Sequence, residues 1–392
     1  MPTRPSRPLL AMLVLAACCA ARAQTSPYYI GASVAATHDS NVLRLASRVG
    51  DTYYSVGVLG GLDQPIGRQR VYASGTLRNN RFQTQKQLDN TSYGINAGVD
   101  WATIEKLSGT LNYSANSSLI NYGGTNTNQT SARNIEKSNQ ALASVQYGMA
   151  SLLSVQASLT HRSLSYSDPI YRSNDLTQTA GSAGMSWRPS GGLTLGAALR
   201  ATRGEYANST DRFNRRDLDL TALWVPTGLS TLNSRVSLSR QTADGGNSSR
   251  DFSGATGFLS WAYQPTGKLQ FNTWVSRDTG AESSFFNPSV NRPAGSGDSS
   301  QVTNTLAVDA SYAATGKIRV NAGLRTSRRS LVLGALDGSD TINGVSLGAT
   351  YQALRNLQVT CNLGQERRSA SGPLSSDYTS KSLGCAGQIT LQ

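Results

Sequence analysis

The sequence predicts an all-β protein, a transmembrane up-and-down antiparallel barrel of about 18 strands. Three observations carry that prediction. Apolar residues recur at every second position along most of the chain, the period of a strand with one dry and one wet face. Short Pro/Gly turns alternate with longer polar connections. An aromatic residue stands repeatedly on the apolar face just before a short turn.

The clearest unit runs from Asp217 to Gln241. Leu218, Leu220, Ala222 and Trp224 alternate with Asp217, Asp219, Thr221 and Leu223; Pro226-Thr227-Gly228 forms the turn; Leu232, Val236 and Leu238 then alternate with Asn233, Arg235, Ser237 and Ser239. Two such strands about a tight turn make a hairpin. The unit recurs at Trp187, Trp261 and Tyr312, and more weakly at Trp101, Tyr147 and Tyr351. These aromatics lie 37 to 51 residues apart, room for two strands, a short turn and a longer loop. A soluble sandwich or propeller also carries aromatics at strand ends. Aromatics confined to the apolar face at the short-turn end fit a membrane-interface girdle better.

In chain order the first 23 residues read as a signal peptide. Arg4 and Arg7 precede the apolar run Leu9 to Ala17, and Ala21-Arg22-Ala23 offers a small-x-small cleavage site. Leu15-Ala16-Ala17-Cys18 is a competing lipobox. Residues 24–392 form the barrel. Strands are expected near 28–37, 52–63, 68–82, 91–103, 107–120, 137–149, 152–166, 177–188, 193–206, 215–225, 229–241, 252–264, 268–280, 301–314, 317–330, 341–353, 356–367 and 378–391, or sixteen if a short one is misread. An even number puts both termini on the short-turn, periplasmic side. Eighteen strands about 4.8 Å apart and tilted near 40° give a backbone radius of roughly 18 Å, too wide for side chains to fill. Either the bore conducts or a loop enters it; residues 281–300, with Pro288 and Pro293, form either a constriction or an external loop.

Composition agrees. Mean hydropathy is −0.33 and 38% of the 392 residues are hydrophobic, as when half of each strand faces water. The net charge of +13 comes from scattered arginines without a nucleic-acid-binding motif, so nucleic acid is not an expected partner. No cofactor or metal is implied. Asp337-Gly338-Ser339-Asp340 reads as a turn rather than a calcium loop. Of two histidines, His38 falls in the first external loop and His161 on the lipid side, so neither offers an interior base and no enzyme is expected.

Arginine is the informative residue. By parity Arg78, Arg162, Arg200, Arg235, Arg319, Arg325, Arg329 and Arg368 point into the lumen. There they either steer anions or pair with Asp100, Asp217, Asp219 or Asp309 in the wall. Arg81, Arg203, Arg240, Arg277, Arg328 and Arg367 point outward at the rim, where lipopolysaccharide phosphates and outer-membrane lipid would meet them.

Two short segments and the C-terminus carry a family resemblance. They are His38-Asp39-Ser40-Asn41-Val42-Leu43-Arg44, then Gly67-Arg68-Gln69-Arg70, then Cys385-x-Gly387-Gln388-Ile389-Thr390-Leu391-Gln392. Together they resemble the EpsL-type outer-membrane β-barrel proteins of bacterial exopolysaccharide loci. The resemblance implies a place beside polysaccharide synthesis and export, with anionic polysaccharide and export-machinery proteins as partners. The chain departs from the usual aromatic terminus of such barrels, ending Leu391-Gln392.

Cys361 and Cys385 are the pair left after the signal segment. Both share parity with apolar residues, and a symmetric hairpin centred at Pro373 sets them opposite one another, within disulfide reach. The alternative is two small apolar wall residues with free thiols.

Overall fold

The computed structural model describes residues 26–104, 106–123, 131–148, 152–207, 212–244, 251–279, 300–333 and 336–392. The signal segment lies outside them, as does 280–299, on which the expected constriction or external loop falls; Ser300 is the first residue of a strand.

Eighteen strands follow in order: β1 (Tyr28–Asp39), β2 (Asp51–Ile66), β3 (Gln69–Phe82), β4 (Asn90–Ala102), β5 (Leu107–Leu119), β6 (Ile135–Tyr147), β7 (Leu153–Tyr166), β8 (Leu176–Ser190), β9 (Leu193–Tyr206), β10 (Arg212–Thr227), β11 (Ser230–Asp244), β12 (Phe252–Thr266), β13 (Leu269–Asp278), β14 (Ser300–Ala313), β15 (Ile318–Leu333), β16 (Leu336–Leu354), β17 (Leu357–Ser371) and β18 (Tyr378–Leu391). Each pairs antiparallel with its sequence neighbours, and β1 pairs with β18, from Ile30↔Leu391 to Asp39↔Ser382. Closure leaves no edge strand, which a sheet in hydrocarbon requires. The fold is the membrane barrel that the alternation predicts.

The two faces sort as the pattern requires. Ile30, Val34, Val56, Val58, Leu199, Leu220, Val236, Leu324, Leu347 and Leu363 are exposed on the outer wall. So many large apolar side chains around a full circumference have no place in water; they are a lipid face. Trp101, Tyr147, Trp187, Trp224, Trp261, Tyr312 and Tyr351 lie on that wall near the short-turn ends of β4, β6, β8, β10, β12, β14 and β16. Most meet an aliphatic residue or a glycine of the following strand in register, as in Trp187↔Leu195, Trp224↔Leu232, Tyr312↔Val320 and Trp101↔Gly109, while Trp261 meets Thr273. Trp101 lies so close over Gly109 that a Cβ there would sit 2.6 Å from its ring. The β2–β3 turn is two residues long, and Gly67 takes φ +63° in it, a conformation glycine reaches without strain.

Three details differ from the sequence reading. Asp337–Asp340 are in β16, paired with β15 from Leu333↔Leu336 onward, and form no turn. Leu331, Val332 and Leu333 extend the strand pattern of β15, and that carries the hairpin beyond the expected end. His38 is on the outer face of β1, its Nδ1 3.0 Å from Thr52 Oγ1, rather than in a loop. The long-loop end is also not simply polar. Leu43, Phe82, Leu88 and Tyr122 form a buried cluster there, and Leu164, Leu176, Tyr206 and Phe213 a second. Burial pushes the Tyr122 and Tyr171 hydroxyls, in the connections at this end, up to about 12.

Candidate functional site

The lumen wall carries the charged side chains, and β9 to β11 hold their densest set. Arg200 on β9 is set opposite Asp217 on β10, and Asp219 follows on the same face. Arg200 Nε and Nη2 donate to the two Asp219 oxygens at 2.9 and 3.1 Å, and Nη1 reaches Asp217 at 3.2 Å. Arg215 Nε donates to Asp217 at 2.8 Å; its other nitrogens reach Thr279, Ser239 and Thr256. Ser237 and Ser239 add their hydroxyls to Asp219 and Asp217, both at 2.5 Å. A buried charge survives only when paired and hydrogen-bonded in this way. Arg329 on β15 repeats the device with Asp340 on β16, Nε to Oδ1 at 2.7 Å and Nη2 to Oδ2, both side chains wholly buried. Arg368 donates to Ser376 O and Gly123 O and lies 4.6 Å over the Tyr378 ring.

All eight arginines assigned inward by parity face the lumen, and they fall into two groups. Arg162, Arg200, Arg235, Arg329 and Arg368 are buried, and Arg325 is half-buried. Arg78 and Arg319 are exposed, with no ion pair or hydrogen bond among the described residues. Of the suggested aspartate partners, Asp217 and Asp219 are engaged as described, while Asp100 lies 3.7 Å from Arg70. Arg70 and Arg215 are inward arginines that the sequence reading leaves out; each is one more step along a parity series already recognised.

Aromatics also enter the lumen. Phe258 and Trp274 stack with centroids 4.6 Å apart, and the Arg235 guanidinium lies 5.5 Å from the Phe258 ring. They escape notice in the sequence because Phe258-Leu259 and Trp274-Val275 are adjacent apolar pairs, which blur alternation.

At the rim, Arg81, Arg203, Arg240, Arg277, Arg328 and Arg367 point outward and are exposed. Arg81 pairs with Asp89 and Arg203 with Glu205, each at 3.0 Å. Hydrogen bonds from the Phe82 N–H and then from Arg81 hold the Asp89 carboxyl below its usual range. Arg240, Arg328 and Arg367, with Arg216 beside them, make no such contact among the described residues. Trp224 and Arg216, Leu269 and Arg277, and Val359 and Arg367 each stand eight residues apart on one strand. At about 3.3 Å per residue and a tilt near 40°, that is on the order of 20 Å, close to the height of an apolar belt.

The two segments that carry the resemblance are joints. Asn41 is fully buried: its amide donates to Leu45 O and Thr379 O, and its carbonyl accepts from Leu45 N and Val49 N. Asp39 accepts from Asn41 N and Ser380 and pairs with Arg44, which also reaches Glu366. Burial lowers the Arg44 pKa, but Asp39 and Glu366 outweigh it and raise the group overall. This clasp ties the first loop to the closing strand. At the other end Arg70 forks onto Asp63 at 2.8 and 2.6 Å, and Arg68 donates to Thr103 O. Cys361 and Cys385 face each other in the β17–β18 register and are joined as a disulfide, Cα atoms 4.1 Å apart. Among the described residues no group of His, Cys, Asp or Glu could hold a metal ion.

No family model matches this chain, and no curated protein matches it. Solved structures do. The fold is similar to that of Pseudomonas aeruginosa OccK1 (OpdK), with a TM-score of 0.51 and 13% identity over 93% of this chain and 99% of that one. OccK2 (OpdF) of the same organism, solved in complex with glucuronate, gives 0.50 and 11% over 93% and 98%. OpdQ gives 0.50 and 13% over 94% and 100%. At such identity the likeness is one of fold.

Proposed function

We propose that this protein is an outer-membrane barrel that lets anionic solutes, acidic saccharides among them, pass down their gradient beside exopolysaccharide synthesis and export. The observation that carries the reading is the lumen wall itself. Arg78 and Arg319 present exposed charge to it, and Arg235 sits against the Phe258–Trp274 stack. Positive charge in a low-dielectric channel concentrates anions, and aromatic faces accept the apolar face of a sugar or ring. OccK2 was solved with glucuronate and OpdK with vanillate, both carboxylates, which supports the same solute class here. The link to exopolysaccharide rests on the resemblance to EpsL-type proteins alone.

A second reading has its own observation. The buried clusters at the long-loop end occupy lumen-side positions, as a non-conducting structural or assembly component of the export machinery would have them. Planar-bilayer recording separates the two. The pore reading expects stepwise conductance with an anion-side reversal potential in a salt gradient, moved toward cations by Arg78→Glu with Arg319→Glu. Absence of conductance from folded, inserted protein supports the second reading, and cation preference in the unaltered protein overturns the first.

A further inference from the structure

The outer wall carries one feature that passage through the lumen does not use. A concavity of about 680 Å³ opens on the lipid side of β11 to β15. Val236, Leu259, Val275 and Leu306 form its bed, and Ala255 and Gly257 leave it deep. A side chain cannot be added at Gly257 without moving the wall, because a Cβ would lie 2.1 Å from Arg235 O. The hollow has a cause in the register. The β12–β13 pairing stops at Gly257↔Arg277, whereas β12 runs on to Phe252. Arg277 crosses that seam, its Nε donating to Ala255 O at 3.2 Å and its Nη1 to Asn304 Oδ1 at 3.3 Å, both neutral acceptors. Asn304 is in turn opposite Arg328, which makes no hydrogen bond or ion pair among the described residues.

Two guanidiniums, two strands or roughly 10 Å apart, therefore stand at the head of an apolar trough. They lie at the long-loop level, where outer-leaflet headgroups sit. Their cross-strand partners Gly257, Asn304 and Thr341 bring no negative charge. We infer that this seam binds one molecule of lipopolysaccharide through its lipid A, one phosphate held by Arg277 and another by Arg328, with an acyl chain lying along Val236, Leu259, Val275 and Leu306. Guanidinium forks match phosphate oxygens, and the trough takes hydrocarbon. A head with more than one phosphate suits two separated arginines better than a zwitterionic phospholipid, whose ammonium would oppose them.

The test is native mass spectrometry of the full barrel, refolded in detergent and offered bis-phosphorylated lipid A, its dephosphorylated form, or cardiolipin. The unaltered protein should retain one lipid A. Arg277→Ala with Arg328→Ala should weaken retention at least tenfold, and Ala255→Trp, which fills the trough without altering charge, should do the same. The dephosphorylated lipid should bind at least tenfold more weakly. Arg81→Ala with Arg203→Ala, on the rim elsewhere, should leave retention unchanged. These side chains face lipid, so circular dichroism and conductance should not change, which keeps the result independent of whether the lumen conducts. Equal loss in the Arg81/Arg203 pair, equal retention of cardiolipin, or no loss in the Arg277/Arg328 pair would each overturn the site.

Discussion

Arginine occurs twice in succession at 215–216, 328–329 and 367–368, and the two members of each pair have opposite fates. Arg215, Arg329 and Arg368 point inward and are 2%, 0% and 1% exposed. Arg216, Arg328 and Arg367 point outward, are exposed, and make no polar contact among the described residues. The chemistry of the side chain is the same; only parity differs. A strand turns successive residues to opposite faces, so it assigns one guanidinium to the inner network and offers its neighbour to whatever surrounds the barrel. Inside, Arg215 and Arg329 meet Asp217 and Asp340, and Arg368 meets two backbone carbonyls; outside, Arg216, Arg328 and Arg367 have no such partner among the described residues.

The largest effect should come from the inner member. Arg329→Ala strands the wholly buried Asp340 carboxylate, at a cost of about 3–5 kcal/mol. Arg328→Ala, one residue away, should change stability by less than about 0.5 kcal/mol. Urea titration followed by tryptophan fluorescence in matched lipid vesicles gives both numbers, and similar losses for the two would remove the contrast. Next in size is the disulfide on the outer wall. Cys361→Ala with Cys385→Ala should lower stability by roughly 3 kcal/mol through the freed loop of the unfolded chain, with the folded barrel's spectrum unchanged.

Parity explains how much of this is legible in the sequence. The strands, their number, the girdle from Trp101 to Tyr351 and the Cys361–Cys385 register all follow from alternation and turn chemistry, which are local. Asp217 and Asp219 are legible as candidate partners of an inward arginine; the clamps on Arg329 and Arg368 are not, because alternation says which way a side chain points and not which group it meets. Phe258 and Trp274 are hidden where two adjacent apolar residues make either parity plausible. The apolar cap of Leu43, Leu88 and Tyr122 joins residues from three loops, and loops carry no period to read.

Smaller effects refine the contrast at the rim. Asp89 has a depressed pKa, so its contribution should be complete above the unfolded carboxylate value of about 4 and fade as pH falls through the lower folded value. The protection factor at the Phe82 amide, whose N–H Asp89 accepts, should fall in that acid window, and Asp89→Asn should abolish that fall. Trp224, 49% exposed on the wall, should be quenched by brominated lipids most strongly near the headgroup level, and maximal quenching at mid-bilayer would contradict the girdle.

The assignment of the two faces can be read residue by residue with a nitroxide scan along β15 in lipid vesicles, the native disulfide intact. Labels at 318, 320, 322 and 324 should relax chiefly with dissolved oxygen, and labels at 319, 321 and 325 chiefly with a water-soluble nickel chelate. The ratio of the two should therefore alternate with a period of two. A flat profile, or chelate access at 320, 322 and 324, would contradict the placing of one face in lipid and the other in the lumen.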